Sequence, residues 1–232
     1  GGSTKEGLEI LENLTQACLK SEKYREAAWY LLSQGDLLTA FTFGGSSICF
    51  GYCLTDFVAD SERQKLAEDT DLSGLYEIYD RSREYFDLSR SPRGEAMAIM
   101  RLAYLNAKSD RWYLANQGYE EARERFAQLG DRLNAMAAAM GKLWTSAHYE
   151  EPDIGAIALI EELIASAKDN GALAWGVSWG FAFARAANGA LVEGENLQAA
   201  LWCTSLAETI FAVFAQPLKQ INSRSLETYY QF

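Results

Sequence analysis

The stretch Asp110 to Asp131, DRWYLANQGYEEARERFAQLGD, decides the fold. Its Ala115, Tyr119 and Ala122 stand at i, i+4 and i+7, the spacing that gathers side chains on one face of an α-helix. A small, an aromatic and a second small residue make a stripe that another helix can approach closely. The paired Glu120 and Glu121 fall on the outer face, where solvated charge belongs. Leu129, Gly130 and Asp131 then break the pattern, as a helix connection requires.

Working outward, the same stripe recurs as Leu75, Tyr79 and Ser82, and as Ala156, Ile160 and Leu163. Between these segments run helices that open on an alanine: Ala40, Ala96, Ala135 and Ala174, separated by 56, 39 and 39 residues. The spacing predicts a two-helix unit of about 39 residues, with an insertion over about 56–73 in the earlier unit. Six or seven residues after each alanine stands a small residue, Ser46, Ala103, Gly141 or Gly180, where the paired helix would come close. Upstream, Leu8, Leu11, Leu14 and Cys18 predict a first helix paired with one that carries Tyr24 and Ala27. Breakers at Gly35-Asp36, Pro92, Gly130-Asp131, Pro152, Asn170-Gly171, Asn188-Gly189, Gly194 and Pro217 mark the expected connections. No stretch alternates apolar and polar residues with β-branched enrichment, so no sheet is expected. The expected fold class is all-α, about five helix hairpins plus a C-terminal capping helix.

These units resemble tetratricopeptide repeats, on the small residue of the first helix and on Ala115, Tyr119 and Ala122 of the second. The period and the Leu129-Gly130-Asp131 connector are more similar to the repeat arrays at the C-terminal end of bacterial STAND-type signalling ATPases. Those include maltose-activator and LuxR-like regulators. The segment AALWCTSLAETIFAVFAQPL, residues 199–218, resembles the closing helix of such arrays through Ala207-Glu208 and Pro217-Leu218. It departs from them at Ala215, where glycine is usual, and it has no second proline after Leu218. The resemblance covers roughly residues 21–218 and implies a right-handed superhelix that senses a ligand for a signalling, transcription-regulating ATPase. That ATPase and its DNA reader are absent from the sequence, which holds no phosphate-binding G-x-x-x-x-G-K-[ST] segment and no helix-turn-helix candidate.

Composition narrows the function further. Of 232 residues, 21 are Lys or Arg and 32 are Asp or Glu, and a net charge of −11 would repel a phosphate backbone or an anionic membrane. Direct nucleic-acid or membrane partners are not expected. No apolar run reaches the roughly 20 residues of a membrane span and no signal peptide is legible, so the expected location is cytoplasmic. Gly1, Gly2 and Ser3 resemble a tag or linker scar, which leaves residues 4–232 as one expected domain. The four cysteines, Cys18, Cys49, Cys53 and Cys203, are expected as free thiols, and Cys49 with Cys53 lacks the remaining ligands of a metal site.

On the first helices, the positions one turn to either side of the small residue line the expected concave groove. They are Phe43, Ser47 and Phe50; Met100, Tyr104 and Lys108; Lys142 and Thr145; and Phe181 and Arg185. Aromatic and methionine side chains offer apolar area there, while Lys108, Lys142 and Arg185 place positive charge on the inner face of an acidic chain, which suits an anionic or amphipathic ligand. Packing between adjacent repeats is the alternative for Tyr104 and Phe181, and core packing is expected of Trp144, Trp175, Trp179 and Trp202. The expected partner is a small molecule or a peptide, a protein captured by a scaffold being the alternative; the sequence leaves the oligomeric state open. Catalysis and cofactors are not expected, an unrecognised all-α enzyme being the lesser alternative: His148 is the single histidine, and it belongs to no legible Ser, His and acid arrangement or Glu-x-x-His pair.

Overall fold

The computed structural model describes residues 4–43 and 71–149, with isolated positions between 201 and 208. Two compact units divide the chain, residues 1–149 and 150–232, and the description that follows concerns the first. Among the described residues it is all-helical, with no strand. The helices are α1 (Thr4–Lys20), α2 (Tyr24–Phe43), α3 (Leu72–Leu88), α4 (Pro92–Lys108), α5 (Trp112–Gln128) and α6 (Arg132–Tyr149).

From α3 onward the helices start at residues 72, 92, 112 and 132, twenty apart. A shared connector sets that interval. At Glu22, Arg90, Asp110 and Gly130 the backbone turns left-handed, with φ of 55°, 52°, 57° and 69°. Each time, the residue after the turn donates its N–H to a carbonyl five back: Lys23 to Cys18, Ser91 to Phe86, Arg111 to Asn106, Asp131 to Phe126, all at 2.8–2.9 Å. The turn residue itself donates to the carbonyl three back. These two bonds satisfy carbonyls that a helix end leaves open. The residue after the turn then starts the next helix, its own carbonyl accepting from Ala27, Glu95, Ala115 or Ala135 four residues on. Only Gly130 of the four turn residues lacks a Cβ, so the other three carry a left-handed cost of about 1–2 kcal/mol each.

Each helix packs on its neighbour in sequence, and α4 also touches both α2 and α6. The helices α2, α4 and α6 therefore stand in one row, with α3 and α5 between them. The predicted stripes face inward. Leu75, Tyr79, Ser82 and Phe86 of α3 are all buried, and so are Ala115, Tyr119, Ala122 and Phe126 of α5, forty residues further on. Burying Phe86 or Phe126 contributes roughly 1.5–3 kcal/mol from apolar transfer. Trp29 of α2 meets the Phe86 ring edge-on at 4.9 Å, and Tyr24 stacks on Tyr85 at 5.9 Å. Helix α4 is buried along most of its length, from Gly94 through Ala98, Ile99, Met100, Ala103 and Leu105 to Ala107, with Glu95, Leu102 and Asn106 half-buried along one stripe, as its central place in the row demands.

Two sequence expectations require correction. Gly35-Asp36 is no connection: it lies inside α2, which joins in one helix two segments that the breaker divided. A Cβ on Gly35 would come 2.6 Å from the Tyr79 ring, so this glycine serves close approach, as Gly141 does against Tyr119 at 2.3 Å. The unit is also forty residues, not 39, because Ala96 is the fifth residue of α4 and Ala135 the fourth of α6. Pro92 opens α4, where its missing N–H costs nothing. Asp71 caps α3 by accepting from the Ser73 N–H at 3.1 Å.

Candidate functional site

Five of the groove candidates fall in described positions with described side chains, and they divide by exposure. Met100 and Tyr104 are each only 1 % exposed and Thr145 is fully buried, so none of the three presents a surface to solvent. Their burial corrects the groove expectation: α4 is enclosed by its neighbours, and these side chains fill the space between helices. Lys108 is exposed and sits over the Tyr104 ring, 5.5 Å from its centroid. Lys142 is half-buried and ion-paired to Glu120 of α5 at 3.1 Å. Phe43 ends α2, with its side chain outside the described set. Ser47, Phe50, Phe181 and Arg185 lie outside the described residues, as do Cys49, Cys53, Trp175, Trp179 and Trp202. Trp144 and His148 stand on α6, their side chains likewise outside.

The main polar cluster joins three helices, and sequence reasoning missed most of it. Asp36 of α2 receives a forked pair of hydrogen bonds from Arg101 of α4, Nε to Oδ1 at 3.2 Å and Nη2 to Oδ2 at 3.1 Å. The Tyr79 hydroxyl, from α3, donates to the same Oδ1 at 2.9 Å and lies 2.9 Å from Thr39 Oγ1. The Arg101 side chain is 5 % exposed. Burial raises the Tyr79 phenol well above its ordinary pKa, and the Asp36 charge adds to the rise while Arg101 opposes it. The phenol therefore keeps its proton. The forked guanidinium–carboxylate pair with the neutral tyrosine ties α2, α3 and α4 together. The signal for it was present: Asp36 and Arg101 each interrupt an apolar run, and a charge in such a run usually has a partner.

A second cluster joins α5 and α6. The Asn116 side-chain amide donates to Ser146 Oγ at 2.8 Å, with Thr145 Oγ1 and the Lys142 carbonyl at 3.3 and 3.2 Å. Beside it, Glu120 binds Arg123 through both oxygens, at 2.9 and 2.6 Å, and also binds Lys142. The Arg123 hydrogen bonds, helped by Lys142, pull the Glu120 carboxyl down to about 2 against the opposing effect of burial. Across the row, Glu95 of α4 pairs with Arg125 of α5 at 2.7 Å, and Arg93 of α4 pairs with Asp131 at 2.7 Å.

Among the described residues, no group of three histidine, cysteine or acidic side chains is placed to hold a metal ion. No described helix is long and apolar enough to cross a membrane. No family model, no curated protein and no solved structure matches this chain.

Proposed function

We propose that the chain is a non-enzymatic binding module of the tetratricopeptide-like kind, a right-handed superhelix of hairpins. It takes a small molecule or a peptide on the face lined by its first helices and passes occupancy to a signalling or transcription-regulating ATPase. One observation carries the proposal: a helix and connector repeated at twenty-residue intervals, with matching left-handed caps and matching buried stripes forty residues apart. Stacked repeats of this kind generate an extended surface whose use is recognition. The charged groups Asp36, Arg101, Glu120 and Lys142 are spent on joining helices, which agrees with a binding role.

A second version, a scaffold for an extended peptide or a partner helix, draws on the burial of Met100, Tyr104 and Thr145. With those three inside and Lys142 bound to Glu120, the exposed candidate among the described residues is the cation Lys108, which fits an open acidic segment better than an enclosed apolar pocket. A thermal-shift screen against metabolites and peptides separates the versions, because a ligand selective for the folded state raises its stability by RT ln(1 + [L]/Kd). An acidic peptide that shifts the wild type and loses its effect in Lys108→Glu supports the scaffold. A metabolite that shifts the wild type supports the sensor, and no shift from either class counts against both.

A further inference from the structure

We propose that the edge of the unit built from the α1–α2, α3–α4 and α5–α6 connectors is a docking surface for an acidic, leucine-bearing helical segment of a partner protein. Helices that follow one another through short connectors and pack together run antiparallel, so these three turns share one end of the unit. The α4–α5 turn, with Lys108 beside it, lies at the other end. Two contacts tie the three connectors side by side. Tyr24 at the start of α2 stacks on Tyr85 near the end of α3, and Arg93 of the second connector pairs with Asp131 of the third at 2.7 Å.

This edge carries the charge opposite to the chain's own. Within three residues on either side of the left-handed Glu22, Arg90 and Gly130, six bases stand against three acids, whereas acids lead bases by 32 to 21 over the chain. The six, Lys20, Lys23, Arg25, Arg90, Arg93 and Arg132, are all exposed. Among them sit two large apolar side chains on consecutive connectors, Leu88 at 63 % and Leu129 at 43 % exposed. The core does not use them, since Phe86 and Phe126 are the buried residues at these helix ends. Spacing and screening choose the occupant. Helices α4 and α6 touch, and helices in contact lie about 8–10 Å apart, so equivalent points on the two connectors are separated by on the order of 10 Å. Residues i and i+7 on one face of a helix are also about 10 Å apart. A helix with leucines at that interval meets Leu88 and Leu129 together, while acids beside them meet Arg90 and Arg132. Charges beyond about 8 Å are largely screened at physiological salt, so a short segment feels the local bases. An anionic membrane is faced by the acidic remainder of the molecule as well.

Fluorescence anisotropy tests the docking: the full chain is titrated into a labelled helical peptide of about four turns, with leucines at i and i+7 and glutamates beside them. The expected result is saturable binding that Leu88→Ser with Leu129→Ser weakens at least about tenfold, and Arg90→Glu with Arg132→Glu likewise. Helical circular dichroism and Tm stay unchanged in both variants, and affinity falls as salt rises. Lys108→Glu, at the opposite end, leaves the binding unaltered, which separates this surface from the one proposed around Lys108. A peptide that does not bind, or that binds wild type and both paired variants equally, overturns the proposal. So does a chain that sediments with phosphatidylserine vesicles and ignores the peptide, since the edge would then serve a lipid surface.

Discussion

The joints on either side of α4 solve one packing problem in two ways. In each, a tyrosine of the intervening helix meets a glycine: Tyr79 against Gly35 of α2, and Tyr119 against Gly141 of α6. The polar links differ. The first joint holds a buried fork between Arg101 and Asp36, with Tyr79 bound into it. The second holds the half-exposed Glu120, Arg123 and Lys142 set, with Asn116 as its buried hydrogen-bonding residue. The two joints therefore share the approach of aromatic to glycine and differ in their charges. Charge chemistry is where one joint becomes distinguishable from the next.

The contrast breaks most sharply at the buried fork. Arg101→Ala leaves Asp36 charged, partly buried and without its fork, and we expect a loss of about 3 kcal/mol or more, measured by urea unfolding. Replacing Asp36 and Arg101 together with leucine should recover most of that loss, because the cost comes from the stranded charge. Next in size is the shared feature. Gly141→Leu must displace the Tyr119 ring and should cost about 1–3 kcal/mol by overpacking. Gly35→Leu should do the same against Tyr79, and a neutral outcome at either position would refute the close approach there.

Acid sharpens the difference between the joints. Glu120 has its folded pKa depressed to about 2 from an ordinary 4.5. Its contribution is therefore full above pH 4.5 and is lost as pH falls from there toward 2. Solvent screening limits this to about 1 kcal/mol or less, since 30 % of the Glu120 side chain is exposed. Glu120→Gln should flatten the slope of stability against pH in that window, and an unchanged slope would show that Glu120 is not held by its partners. The smallest effect is expected at the connectors. Arg90→Gly relieves a left-handed residue and should stabilise by about 0.5 kcal/mol after the added chain entropy of glycine, whereas Gly130→Ala should destabilise by about 1 kcal/mol. Thermal unfolding of the two variants should move the Tm in opposite directions.

Much of this unit was legible because helices record their buried faces at fixed intervals. Leu75, Tyr79 and Ser82, and then Ala115, Tyr119 and Ala122, could be picked out by spacing alone, and each proved buried. The groove was not legible. Periodicity locates a face, but Met100 and Tyr104 look alike whether their face meets solvent or a third helix, and enclosure by α3, α5 and the row of α2 and α6 decided it. Gly35 misled for a related reason: the same residue ends a helix or admits a ring, and only the position of Tyr79 distinguishes the two.

By itself, then, the sequence determined that the described residues are helical, the buried stripes of α3 and α5 and the pairing of α1 with α2, since all of these follow from local spacing and from residues that cap or break helices. The tertiary structure alone decided which polar groups meet across helices. Asp36 and Arg101 stand 65 residues apart, and Asn116 and Ser146 stand 30 apart. No local rule links such positions, and they become neighbours only when the stack brings their helices together.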